Sequence, residues 1–117
     1  MKMKETPSLC NQFADAPGAQ AARRLFEACH RVGEDARPIA EFLVSLCTSE
    51  WTRIDAGSLC RRIIDDALFT DIIAVMTWLR EGRHEGFDLP DIFGSSNAGY
   101  AVILDLMDRF EIHRMAF

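Results

Sequence analysis

The chain has 117 residues, 49% of them hydrophobic and 26% charged, with 13 Lys+Arg against 18 Asp+Glu and a formal net charge of −5. That composition belongs to a globular domain and excludes an intrinsically disordered chain. The negative balance disfavours direct, sequence-general binding of nucleic acid, whose phosphates must be met by Lys and Arg.

Charge is unevenly spread. Residues 1–64 hold 9 Lys+Arg and 8 Asp+Glu, whereas residues 65–117 hold 4 and 10, so the acidity lies in the C-terminal part. An acidic half favours a partner with a basic surface, although acidic surfaces also simply keep small proteins in solution. A chain of this length fits one domain and needs neither metal nor disulfide for stability. Cys10, Cys29, Cys47 and Cys60 show no C-x-x-C spacing, which excludes a zinc knuckle or a thioredoxin motif. Lys2 and Lys4 are followed by polar Thr6, Ser8, Asn11 and Gln12, which is not a signal peptide. No apolar run approaches the roughly 20 residues of a membrane span. The expectation is a cytoplasmic protein without a membrane partner.

In chain order, residues 1–15 read as a flexible N-terminal arm in which Leu9 and Phe13 are the bulky anchors, and residues 16–117 as one helical domain. Pro17 suits the first turn of a helix carrying Ala22, Leu25, Phe26, Cys29 and Val32, at offsets 0, 3, 4, 7 and 10. Gly33 is placed to end it. Asp35 is the expected cap of a second helix with Ile39, Phe42, Leu43, Leu46 and Cys47 on its apolar stripe. Ile54-Asp55 predicts a staple and cap for a short helix containing Leu59 and Cys60. Asp65 or Asp66 caps a third long helix with the stripe Leu68, Ile72, Val75, Met76 and Leu79, ending near Gly82. A second stapled short helix follows at Phe87-Asp88, leading to Ile92. The last helix runs from about Asn97 nearly to the C-terminus, with Tyr100, Ile103, Leu104, Met107 and Phe110 facing inward. The predicted fold is all-α: a compact single-domain bundle of four main helices plus two short helices. No strand is expected, because the apolar runs at 63–64 and 101–104 continue into helical spacing.

Few groups capable of catalysis converge. His30, His84 and His113 are far apart, and His84-Glu85 lacks the second histidine of a helical zinc motif. Cys29 and His30 are consecutive, so on a helix they point about 100° apart and form no thiolate–imidazole pair. Asp65-Asp66, Asp88 with Asp91, and Asp105 with Asp108 and Glu111 are carboxylate groupings. Without a pocket that raises one pKa, such groups form a solvated face rather than an acid–base pair. There is no phosphate-binding glycine loop and no nucleophile elbow. The expectation is no catalytic residue, no metal site and no cofactor.

Interface anchors are more visible. Trp51, with Arg53 beside it, and Trp78 are the two tryptophans, and arginine outnumbers lysine 11 to 2. Trp and Arg are over-represented among residues that anchor protein interfaces.

The segments Ala22-Arg23-Arg24-Leu25-Phe26, Ile39-Ala40-Glu41-Phe42-Leu43 and Asp66-Ala67-Leu68-Phe69-Thr70-Asp71-Ile72-Ile73-Ala74-Val75 resemble small, functionally uncharacterised helical proteins of bacterial plasmids, integrative elements and prophages. The likeness covers about residues 19–80, rests mostly on core patterning, and does not extend past Phe87. It implies a mobile-element setting and no catalytic residues. By analogy of setting, inhibitors of bacterial immunity such as anti-CRISPR proteins are small, acidic and without an active site.

Three readings therefore stand. The first is a non-catalytic protein-binding module, a stoichiometric inhibitor of a host defence or nucleic-acid-processing complex. Its contact residues would be Trp51, Asp88, Asp91, Asp105, Asp108 and Glu111, facing a basic host protein. The second is a homodimeric regulatory or accessory factor that pairs through the terminal helix. The third is an enzyme using the His84 loop.

Overall fold

A computed structural model describes residues 6–31, 36–47, 56–63, 65–94 and 96–112. Five α-helices, α1 (Pro17–Ala28), α2 (Ala36–Cys47), α3 (Ala56–Arg62), α4 (Asp66–Glu81) and α5 (Ser96–Arg109), are joined by a 3-10 helix at Leu89–Phe93. The architecture is all-α, with four long helices and two short ones, and no strand among the described residues. The radius of gyration, 13.4 Å, is what a close-packed chain of this length gives.

Local chemistry explains most of the helix ends. Pro17 stands at the first turn of α1, where its missing N–H costs nothing. The Asp65 carboxylate accepts the backbone N–H groups of Ala67 and Leu68 at 2.9 and 3.3 Å, capping α4. Gly82 closes that helix through its N–H to the Trp78 carbonyl. The first helix is shorter than its periodicity predicts: it stops at Ala28, and a turn carries Cys29 and His30. The expected stops and caps at Gly33, Asp35 and Ile54-Asp55 lie outside the described residues.

α2 fills the centre. Ile39, Ala40, Phe42, Leu43 and Val44 are all essentially inaccessible to water, so this helix is buried on more than one face. α1 and α4 make the principal helix pair and run antiparallel. Gly18 near the start of α1 meets Trp78 near the end of α4, and Arg24 meets Asp71 further along. A Cβ on Gly18 would lie 2.1 Å from Trp78 Cγ, so only glycine permits this approach. Trp78 also packs with Phe87 and with Phe13, at ring-centroid distances of 4.9 and 5.8 Å. Trp78 is thus an internal anchor. Through this cluster Phe13 is buried, and Cys10 N donates to the Ile92 carbonyl at 2.9 Å, so residues 10–13 lie against the domain.

Two predicted stripes are buried only in part: Ile72 and Val75 on α4, and Ile103 and Met107 on α5, face inward as the spacing predicts, but other members do not. On α4, Asp71, Ile72 and Val75 face inward, whereas Met76 and Ile73 are each 49% exposed. On α5, Ile103, Leu106 and Met107 are buried, whereas Tyr100 and Leu104 are 44% and 51% exposed. Gly99 supplies the reason for the exposure of Tyr100 and Leu104. A Cβ there would stand 2.1 Å from the Pro90 carbonyl oxygen, so the backbone of α5 rests directly on the 3-10 helix through its glycine. That contact turns the line of Gly99 and Ile103 inward and the line of Tyr100 and Leu104 outward. The helix also ends earlier than predicted, at Arg109.

Candidate functional site

α5 is the element that the inward line leaves half uncovered. Its outer line is Tyr100, Leu104 and Asp108, each one turn from the last, with exposed Ala101 and half-buried Asp105 alongside. An aromatic ring, a branched aliphatic group and two carboxylates thus share one exposed ridge. The predicted contacts Asp105 and Asp108 belong to it.

Glu111 does not. The expected strip of Asp105, Asp108 and Glu111 required a helix that continued through 111. Instead Glu111 takes a φ of 53°, Ile112 N donates to the Met107 carbonyl at 2.8 Å, and Glu111 N to the Asp108 carbonyl at 3.3 Å. These are the paired bonds of a Schellman cap, with Glu111 in the left-handed position usually held by glycine.

The electrostatics around this end of α5 are mixed rather than uniformly negative. Arg109 and Asp105 both act on His30, which sits just after α1. Burial pushes the His30 pKa below its ordinary value, with Arg109 adding to the push and Asp105 and Glu27 opposing it. Arg37 Nη1 donates to the Phe110 carbonyl at 2.6 Å, supplying a cation at the negative end of α5. It also lies 3.9 Å from Glu41.

The remaining predicted contacts are separate from this ridge. Asp88 caps the 3-10 helix and Asp91 lies within it, and the start of α5 packs against that element. The helix rise sets Asp108 about 13 Å along the axis from Gly99, so the acidic groups divide between two ends. The Asp91 carboxylate is engaged within its own element, where its Oδ2 accepts the Asp88 N–H at 2.8 Å and closes the first turn of the 3-10 helix. Trp51 lies outside the described residues. His84 and Glu85 are exposed on the turn after α4, where Glu85 N donates to the Gly82 carbonyl at 2.9 Å.

Sequence reasoning missed one pairing. Arg24 and Asp71 form a two-bond ion pair across the α1–α4 contact, at 3.0 and 2.9 Å. The signal was present, since an aspartate on an apolar line needs a cation within reach. The pair spans an open groove of about 800 Å³ that also holds Glu27, Arg31, Asp65 and Thr70. Its three carboxylates outnumber its two arginines by one.

Cysteine placement follows the stripes. Cys29 is buried and its Sγ donates to the Ala36 carbonyl at 3.8 Å; Cys47 is half-buried with its Sγ 3.4 Å from the Leu43 carbonyl. Burial pushes both thiols up to about 12, which keeps them protonated and poor nucleophiles at neutral pH. Cys60 is exposed. Among the described residues no three His, Cys, Asp or Glu side chains gather as metal ligands would. No described helix is long and apolar enough to cross a membrane.

A model of the DUF7673 family, a family of unknown function, matches residues 19–98. The chain belongs to that family. The match runs from within α1 through the 3-10 helix and stops in the first turn of α5, so it extends beyond residue 80, about where the sequence likeness ended. No curated protein and no solved structure matches the chain.

Proposed function

We propose that this chain is a non-catalytic protein-binding module whose outer α5 ridge docks on a partner with a basic surface. The observation that carries the reading is the exposure of Tyr100 and Leu104, 44% and 51%, beside Asp105 and Asp108. An aromatic and an aliphatic group in the middle with carboxylates beside them is the composition of an interface core and its polar rim. Burying one such apolar side chain contributes about 1.5–3 kcal/mol, and the carboxylates select for a positive partner and speed the encounter.

In its most specific form the proposal is a stoichiometric inhibitor of a host defence or nucleic-acid-processing complex, encoded on a mobile element. What supports this form is the likeness of the core segments to proteins of such elements, together with the acidity of residues 65–117. A nucleic-acid-processing protein carries the basic surface that those charges would occupy.

The test is capture of host proteins on the immobilised full chain, at low and at high salt. The proposal expects a partner that is retained at low salt, weakened at high salt, and lost by the folded double variant Leu104→Ser/Asp108→Lys. Retention by that variant, with its circular-dichroism spectrum unchanged, would discard the α5 ridge as the docking surface.

A second reading draws on the same exposed pair. Tyr100 and Leu104 would also suit a homodimer that pairs α5 with its own copy, as a regulatory factor does. Light scattering separates the two: a monomer at working concentration removes the homodimer, and a dimer dispersed by Leu104→Ser establishes it.

A further inference from the structure

Among the described residues four large hydrophobic side chains are exposed. Tyr100 and Leu104 form the α5 ridge. The other two, Ile73 and Met76, stand on α4 and have no place in that reading. α4 reaches α1 through Asp71 and Trp78. At about 100° per residue, Asp66, Phe69, Ile73, Met76 and Arg80 fall on the far side of the helix. They recur at intervals of three and four, the spacing of a helix–helix seam. Thr70 and Thr77 border this line and are exposed. The Thr70 hydroxyl turns back on its own helix, donating to the Asp66 carbonyl at 2.9 Å. The centre of the seam is thus uncharged, with Phe69 half-buried and Ile73 and Met76 each 49% exposed.

Its two charges lie at the ends. Asp66 stands seven residues before Ile73 and Arg80 seven after it, so each sits about 10 Å along the axis from the isoleucine. Both are exposed, and neither enters an ion pair among the described residues. That order decides what the face fits. Laid parallel on a second copy, carboxylate would meet carboxylate and guanidinium would meet guanidinium. Turned end for end about Ile73, each carboxylate meets a guanidinium, Phe69 lies beside the partner's Met76, and Ile73 packs on itself. A face that complements itself under a two-fold rotation is what an isologous dimer requires. A partner of single charge sign would satisfy one end and oppose the other.

We propose that α4 carries a homodimer interface: two copies pair antiparallel through Phe69, Ile73 and Met76, with Asp66 of each meeting the partner's Arg80. Arginine suits the ends because its planar fork takes both oxygens of a carboxylate. The apolar centre supplies the attraction, and the charged ends set the direction of pairing. The inference does not rest on the α5 ridge, none of whose residues it uses.

The experiment is sedimentation equilibrium of the full chain from micromolar to millimolar concentration. The proposal expects a reversible monomer–dimer equilibrium that Leu104→Ser leaves in place. Ile73→Asp, at an exposed position on the two-fold axis, should weaken dimerisation by about tenfold or more with an unchanged circular-dichroism spectrum. If that variant loses its fold, Met76→Ser reads the same seam. Asp66→Lys and Arg80→Glu should each weaken the dimer, because each sets like charges face to face at both ends. Mixed in equal amounts, those two variants should form a heterodimer tighter than either homodimer, since both ends then pair opposite charges. A monomer at every concentration, a dimer that the folded seam variant leaves intact, or a mixture that associates no better than its components overturns the proposal. A dimer that Leu104→Ser disperses belongs to α5 and overturns it as well, whatever partner capture returns.

Discussion

Arg24 on α1 grips the Asp71 carboxylate on α4 with two parallel bonds, Nε to Oδ2 at 3.0 Å and Nη2 to Oδ1 at 2.9 Å. The carboxylate is the shielded partner, for Asp71 is 8% exposed. The guanidinium keeps over half of its surface in water, and its attachment to Asp71 raises an already high pKa. The pair fixes the rotation of α4 against α1, because it lets an aspartate occupy an inward position between Leu68 and Val75.

Removing the arginine should therefore cost more than a surface ion pair ordinarily contributes. Arg24→Ala leaves a shielded carboxylate without its two donors, and the expected loss is about 1–2 kcal/mol, limited by the water that can still reach it. Arg24→Lys should recover only part of this, since an ammonium cannot make the two-pronged bond. Asp71→Leu, which removes the buried charge itself, should be milder than Arg24→Ala. Urea unfolding of the three variants decides it. An Arg24→Ala midpoint equal to wild type would show that the pair is ornamental.

The Gly18–Trp78 approach makes a second stability prediction. An added methyl would overlap Trp78 Cγ and Cβ at 2.1 and 2.2 Å, well inside contact distance. Either the helices separate or the indole leaves its place against Phe13 and Phe87. Gly18→Ala should thus destabilise by about 1–3 kcal/mol, although alanine favours helix intrinsically by about 1 kcal/mol. A thermal melt gives the sign. A variant that melts at or above the wild-type temperature would mean that propensity outweighs the clash.

The sequence made the helices legible and left their rotation open. Leu25 and Phe26 on α1, Cys29 just after it, and Ile39, Phe42 and Leu43 on α2 are buried as their spacing requires. On α5 two lines compete, Gly99 with Ile103 and Tyr100 with Leu104. By hydrophobicity alone the second wins, because glycine contributes no side chain to bury. What decides against it is a backbone contact with Pro90, which no periodicity encodes. The same limit hid the ion pair between α1 and α4. Arg24 and Asp71 come from two helices far apart in the chain, so their meeting is a property of the packing.

Glu111 offers a substitution that should stabilise. It holds φ at 53° to close α5 through the Ile112 N–H to Met107 carbonyl bond, 2.8 Å long. For a residue with a Cβ the left-handed region costs about 1–2 kcal/mol, which glycine avoids while losing some chain entropy. A carboxylate at this end of a helix also opposes the macrodipole. Glu111→Gly should raise stability by about 0.5–1 kcal/mol, seen as a higher urea midpoint with an unchanged slope. A lower midpoint would show that the carboxylate has a compensating role.

His30 sets the expected pH dependence. Burial is the main cause that lowers its pKa from 6.5, Arg109 adds to it, and Asp105 and Glu27 act in the opposite sense. Between the folded pKa and 6.5 the unfolded chain therefore binds a proton that the folded chain does not. Stability must rise with pH across that window. The contribution is complete above 6.5 and disappears as the pH falls below 6.5 toward the folded value. Urea midpoints at about pH 7.5 and about pH 5.5 should accordingly fall on acidification, and His30→Gln should reduce that fall. The ring resonances of His30 should titrate below those of a free histidine, and further below in Asp105→Asn, which removes an opposing charge. A His30 that titrates at or above its ordinary value would contradict the burial that lowers its pKa.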